Sequence, residues 1–119
     1  MATIVDRERG HVVCERCLVA RGPWTRLKGL LGRRELSSEE GLLLRPTSSI
    51  HTCFMRFAID AVFLDRSLTV IDVVPDLGGW RIAGRRGARA VLELRAGQCE
   101  RSGLRPGDRL AILDASCKS

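Results

Sequence analysis

One stretch concentrates the residues able to do chemistry. From Ile50 to Val74 the chain reads IHTCFMRFAIDAVFLDRSLTVIDVV, and His51, Arg56, Asp60 and Asp72 interrupt an otherwise apolar, β-branched ribbon. An unpaired polar group buried in such a ribbon costs roughly 1–3 kcal/mol, so each of these residues needs a partner. Two accounts supply one. In the structural account Arg56 and Asp60 pair across a bend at Phe57-Ala58, and Asp60 accepts backbone N–H bonds there, fixing the crossing of two strands. In the functional account His51, Arg56 and Asp60, joined by Glu93, surround a pocket in a barrel mouth. Imidazole and carboxylate would then serve as acid and base, with His51, Asp60 and Glu93 the candidate catalytic groups of a hydrolase-like enzyme. No Gly-x-Ser-x-Gly elbow, phosphate-cradling glycine loop or other nucleophile–base signature supports this. A metal on His51, Asp60 and Glu93 lacks ligand spacing. The residues favour the structural account, then a non-catalytic ligand or partner site; no metal and no cofactor is expected.

Five cysteines stand at 14, 17, 53, 99 and 117. An odd number fits reduced thiols better than a disulfide framework. Cys14-x-x-Cys17 has redox-motif spacing, but it falls within a predicted strand. Positions three apart in a regular strand face opposite ways, so the reading is two unconnected thiols. Cys53 shares a strand face with His51, but cysteine there reads as a small core residue.

The elements that must position these groups follow from pattern and punctuation. Val12–Ala20 is strand-like. Pro23–Leu31 predicts a helix with an apolar stripe of Trp24, Leu27, Leu30 and Leu31, closed by Gly32. Gly41–Leu44 begins a buried strand that Pro46 ends. Strands are predicted over Ile59–Leu64 and Leu68–Val74 with a turn at Asp65-Arg66-Ser67. Pro75 opens an irregular basic loop continuing to Gly87, with Trp80 read as a lid over the sheet edge or an exposed contact. Ala88–Leu94 alternates as a strand, with Glu93 expected either toward solvent, the favoured reading, or bonded to an arginine. Ala96–Gly103 predicts a two-turn helix ended by Gly103 with Leu104 beyond it. Arg105-Pro106-Gly107-Asp108 has the residues of a type II turn and launches a last strand, Arg109–Leu113. Residues 1–10 are expected to be frayed or to form a short first strand, and 114–119 to fray.

The 119 residues, 45% of them hydrophobic, predict one domain spanning 1–119 with a core of its own. No apolar run reaches bilayer length and the first residues lack a signal-peptide core, so a cytoplasmic protein without membrane insertion is expected. Net charge is +6, with 18 of the 20 basic residues arginine. That balance could serve nucleic acid, an anionic membrane or an acidic protein. Scattered arginines and few aromatics leave nucleic-acid binding resting on charge alone.

Three segments together resemble the bacterial and archaeal DUF192 family over nearly the full length. They are Thr25–Leu36 with Glu40–Leu44, His51–Asp65, and Val91–Gly97 with Glu100-Arg101 and Gly103–Asp108. The chain departs from the family pattern at Ala58, where proline is common, and at Asp65-Arg66-Ser67, where a glycine turn is common. The resemblance implies a compact β-rich small barrel or sandwich with short helices and brings no activity with it. The residues themselves predict a mainly β fold of about seven strands and two short helices. The function expected is a non-catalytic accessory module, a monomer or weak dimer, binding a protein partner or small ligand. Its contact residues would be His51, Met55, Arg56 and Asp60, with Trp80, Arg85 and Arg86 of the basic loop.

Overall fold

The computed structural model describes residues 2–20, 37, 39–51, 57–78 and 81–114, without the side chains of Ala20, His51 and Asp114. The strands are β1 (Ala2–Asp6), β2 (Val12–Ala20), β3 (Glu40–Leu44), β4 (Ser49–His51), β5 (Ile59–Leu64), β6 (Val70–Leu77), β7 (Ile82–Gly84), β8 (Ala90–Arg95) and β9 (Leu110–Asp114). A single-turn helix, α1 (Gln98–Ser102), lies between β8 and β9. The predicted helix Pro23–Leu31, Cys53, Met55, Arg56, Trp80 and the tail beyond 114 lie outside the described residues.

Seven strands form one curled sheet in the order β6-β5-β8-β3-β2-β1-β9. Its neighbours are antiparallel except β2 and β3, which run parallel. The two edges meet where β6 and β9 begin: Thr69 bridges Arg109. There Val70 N–H donates to Asp108 O at 2.7 Å and Gly107 N–H to Val70 O at 2.8 Å. The sheet is thereby curled into a half-barrel whose edges are tied at one point. The start of the chain is a strand held between β2 and β9, which is the second of the two readings above.

The concave face holds Ile4, Val13, Cys14, Cys17, Leu43, Val62, Leu64, Leu92, Leu94 and Leu110. The convex face of the middle strands is buried as well, under Leu42, Leu44, Ile59, Ala61, Phe63 and Val91. Its cover includes Ile50 of β4 and Ala83 of β7, which pair as a separate two-stranded ribbon. Burial on both faces explains why β5 and β8 are buried continuously rather than alternately. The predicted irregular loop 75–87 is therefore partly regular: β6 runs on to Leu77, and β7 forms because Ser49–His51 offers it a partner.

Bulges set which residues face inward. Ala2 pairs with Cys17 and Ile4 with Cys14, so two steps on β1 match three on β2. The extra residue leaves Glu15 and Arg16 both exposed and turns Cys14 and Cys17 to the same concave face. The expectation that these thiols point apart is overturned, because it assumed an unbroken period of two. At the far end the turn signals hold. Gly103 is left-handed with φ 67° and its N–H caps α1, while Leu104 N–H returns to Cys99 O at 3.0 Å. Gly107 has φ 97°, and Asp108 N–H donates to Arg105 O at 3.1 Å. The helix itself has five residues rather than two full turns.

Gly41 faces Cys14 across this interior. A Cβ there would sit 2.8 Å from Cys14 Sγ, 3.0 Å from Leu94 Cδ2 and 3.1 Å from Glu93 O. Gly41→Ala is expected to destabilise the fold by about 1–3 kcal/mol in urea unfolding. Cys14→Ala in the same chain should recover part of that loss; a strictly additive double variant would show that the sulfur is not the obstacle.

Candidate functional site

Asp60 lies at the end of β5, 1% exposed, with its neighbour across the sheet, Leu94, on the concave face. Its carboxylate is fully engaged. Oδ1 accepts Asp76 N–H at 2.9 Å. Oδ2 accepts Gly97 N–H and Cys99 N–H, both at 3.0 Å. The first donor comes from a bulge in β6: Ile59 pairs with Leu77 and Ala61 with Val74, leaving an extra residue at Pro75-Asp76. Asp76 adopts φ 52° there, in the left-handed region. The other two donors are amides of the first turn of α1, which no helical carbonyl can satisfy. Accepting backbone bonds was expected of Asp60, but at the Phe57-Ala58 bend; the partners lie 16 to 39 residues onward.

The helix held in this way fills the barrel mouth. Cys99 and Leu104 join the concave core, and Gln98 Nε2 donates to Val13 O at 3.2 Å. The other end of α1 is tied to the β1–β2 turn, where Arg9 donates to Gly103 O at 2.7 Å. His11 Nε2 lies 3.0 Å from Ser102 O, and since a carbonyl only accepts, that nitrogen carries the proton. Burial, and then the Asp60 carboxylate, push the Cys99 thiol well above the ordinary range. It is a core group rather than a nucleophile.

Among the described candidates, Asp60 and Glu93 do not converge. Glu93 alternates with Leu92 and Leu94, so it lies on the opposite face of the sheet from Asp60, beside Val91. It is 4% exposed rather than solvent-facing, and it is not without a partner. Its burial follows from the second layer over the convex face, which single-strand alternation does not reveal. His51 ends β4 opposite Ile82. Arg85, expected as a contact residue, is engaged within the chain: its Nε donates to Asp72 Oδ2 at 2.6 Å and its guanidinium lies 5.4 Å from the Phe63 ring centroid. That hydrogen bond holds the Asp72 carboxyl below its ordinary value. Arg86 is exposed.

Cys14 and Cys17 form a buried pair. Contact with Cys17 lowers the Cys14 thiol, while the same contact and burial push Cys17 up. Among the described residues no group of three or more His, Cys, Asp or Glu side chains could hold a metal ion. No described helix is long and apolar enough to cross a membrane. Sequence reasoning missed Asp6, which is wholly buried and closes the β1–β2 turn by accepting Glu8 and Arg9 N–H at 3.0 and 3.1 Å. An aspartate two and three residues before its donors is a recognisable turn signal.

The family model DUF192, described as uncharacterized ACR, matches residues 4–112. A candidate transcription regulator from Sinorhizobium meliloti 1021 is similar at 24% identity and TM-score 0.79, over 93% of this chain and 91% of that one. A protein of unknown function from Novosphingobium aromaticivorans DSM 12444 is similar at 26% identity and TM-score 0.78, over 92% of this chain and 82% of that one. The chain matches no curated protein.

Asp60→Asn is expected to cost roughly 2–4 kcal/mol in urea unfolding, because an amide offers one acceptor oxygen and turns its own NH2 toward backbone donors. Asp72→Asn should cost under about 1 kcal/mol, since both partners are more than a third exposed. The Asp72 contribution has a definite sign. Its folded pKa is depressed, so the contribution is present above the unfolded pKa and is lost as pH falls through the folded one. The gap between wild type and Asp72→Asn should therefore close in acid, and a gap that widens there would contradict the pairing.

Proposed function

The chain belongs to the DUF192 family, and we propose that it is a non-catalytic accessory module that binds a protein partner through the β4–β7 ribbon and the basic segment after it. The observation that carries this reading is Ile82, 79% exposed at the start of β7. A large apolar side chain so open, flanked by arginines, suits a contact with an acidic partner that has an apolar centre. The polar groups of the barrel support a non-catalytic role by their employment: Asp60 is consumed by three amides, and Glu93 lies across the sheet from it. Two further groups expected to line the site, Met55 and Arg56, lie outside the described residues. The likeness to the Sinorhizobium protein carries the fold alone, so no regulatory role is drawn from it.

The test is a crosslinking capture from the native cell lysate with wild type and an Ile82→Asp/Arg86→Ala variant. Neither side chain makes a hydrogen bond or ion pair among the described residues, so the variant should keep its melting temperature. A specific acidic protein captured by wild type and lost by the variant is the expected result. Equal capture by both would remove the ribbon from the interface.

A further inference from the structure

We propose that the cleft between the β3–β4 loop, the β5–β6 turn and the β7–β8 connection binds a small phosphate-bearing ligand. The cleft encloses about 400 Å³ and is lined by Arg45, Arg66 and Arg89, with Asp65, over an apolar floor that includes Pro46 and Leu68. A second hollow of about 400 Å³ adjoins it, sharing Pro46 and Arg89 and adding the polar residues Thr47 and Ser48. These three arginines come from three separate loops, about 21 and 23 residues apart in sequence, so no local motif announces them.

What sets the cleft apart is that three arginines without a carboxylate partner among the described residues line one concavity. Arg9, Arg16, Arg85 and Arg109 each reach a carboxylate within 4 Å. Among the described residues, Arg45, Arg66 and Arg89 share in none of these pairs. The one acid in the cleft is turned into its own loop: Asp65 Oδ1 accepts Ser67 N–H at 2.8 Å and Thr69 N–H at 2.9 Å. The backbone beneath is well held, with Arg89 N–H donating to Leu64 O at 2.8 Å and Thr47 N–H to Arg89 O at 3.1 Å. The cleft is thus a framed concavity lined by three arginines against one carboxylate, a net positive charge.

Guanidinium forks match the oxygens of a tetrahedral phosphate two at a time, and three of them exceed what one carboxylate can accept. The volume suits a small molecule. The lining has no aromatic ring on which a base would stack, which favours a compact ligand over a nucleic-acid strand. This site shares the β7–β8 connection with the proposed partner surface but rests on Arg45, Arg66 and Arg89 rather than on Ile82 and Arg86, so either proposal can fail without the other.

The experiment is isothermal titration of the whole chain with pyrophosphate, with citrate and a single-stranded oligonucleotide as comparison arms. Wild type is expected to bind pyrophosphate with a Kd below about 1 mM. Arg66→Ala/Arg89→Ala should weaken it by about tenfold or more, the loss expected for two charge-assisted contacts. Arg86→Ala/Arg105→Ala, an equal loss of charge outside the cleft, and Ile82→Asp/Arg86→Ala should both retain it. If the double cleft variant fails to fold, Arg89→Lys serves instead: a point charge in place of a fork should still weaken binding. No binding by wild type, equal binding by the cleft variants, citrate bound as tightly, or an oligonucleotide bound more tightly through the same arginines would each overturn the proposal.

Discussion

A single buried carboxylate ties the ends of this fold together. Asp60 gathers an amide from the β6 bulge and two from the first turn of α1 into one acceptor. Those donors belong to a strand edge and a helix start, the two places where a chain has backbone amides with no partner of its own. Without the carboxylate the bulge would have no reason to turn inward and the helix no seat over the barrel mouth. Arg9 and His11 complete the seat from the other side by donating to the carbonyls that end the helix. The short helix is therefore held by side chains at both ends, which its own length could not achieve.

The same economy governs the sheet. Strands β3, β5 and β8 are covered on both faces, so any polar group on them must be bonded within the protein, as Asp60 is. Chemistry that needs solvent and an open pocket has no room there. Arginines without a carboxylate partner among the described residues stand at the rim, including Arg45, Arg66 and Arg89, and the ribbon over the convex face leaves Ile82 exposed.

Bulges decide much of what a period-of-two reading gets wrong. One extra residue in β2 brings Cys14 and Cys17 to one face and requires glycine at position 41. A second places Asp76 N–H on Asp60. A third, between Phe63 and Leu64, leaves Asp72 opposite Phe63, where it meets Arg85. Each bulge is a compromise between neighbouring strands, so neither strand's sequence carries it alone.

What the amino-acid sequence by itself determined is the set of strands and the punctuation between them. The extents of β2 and β5 were legible from β-branched runs, and the turns at Gly103 and at Pro106-Gly107 from residues whose backbone freedom or restriction is intrinsic. The family resemblance, carried by ordered motifs, was legible too. Tertiary structure alone decided that Glu93 is buried, that β7 exists, that Arg85 is spent on Asp72, and that three distant arginines share a cleft. The physical reason is range. Turn and strand preferences act over a few residues, whereas burial, strand pairing and charge neighbourhood depend on segments the fold brings together from far along the chain.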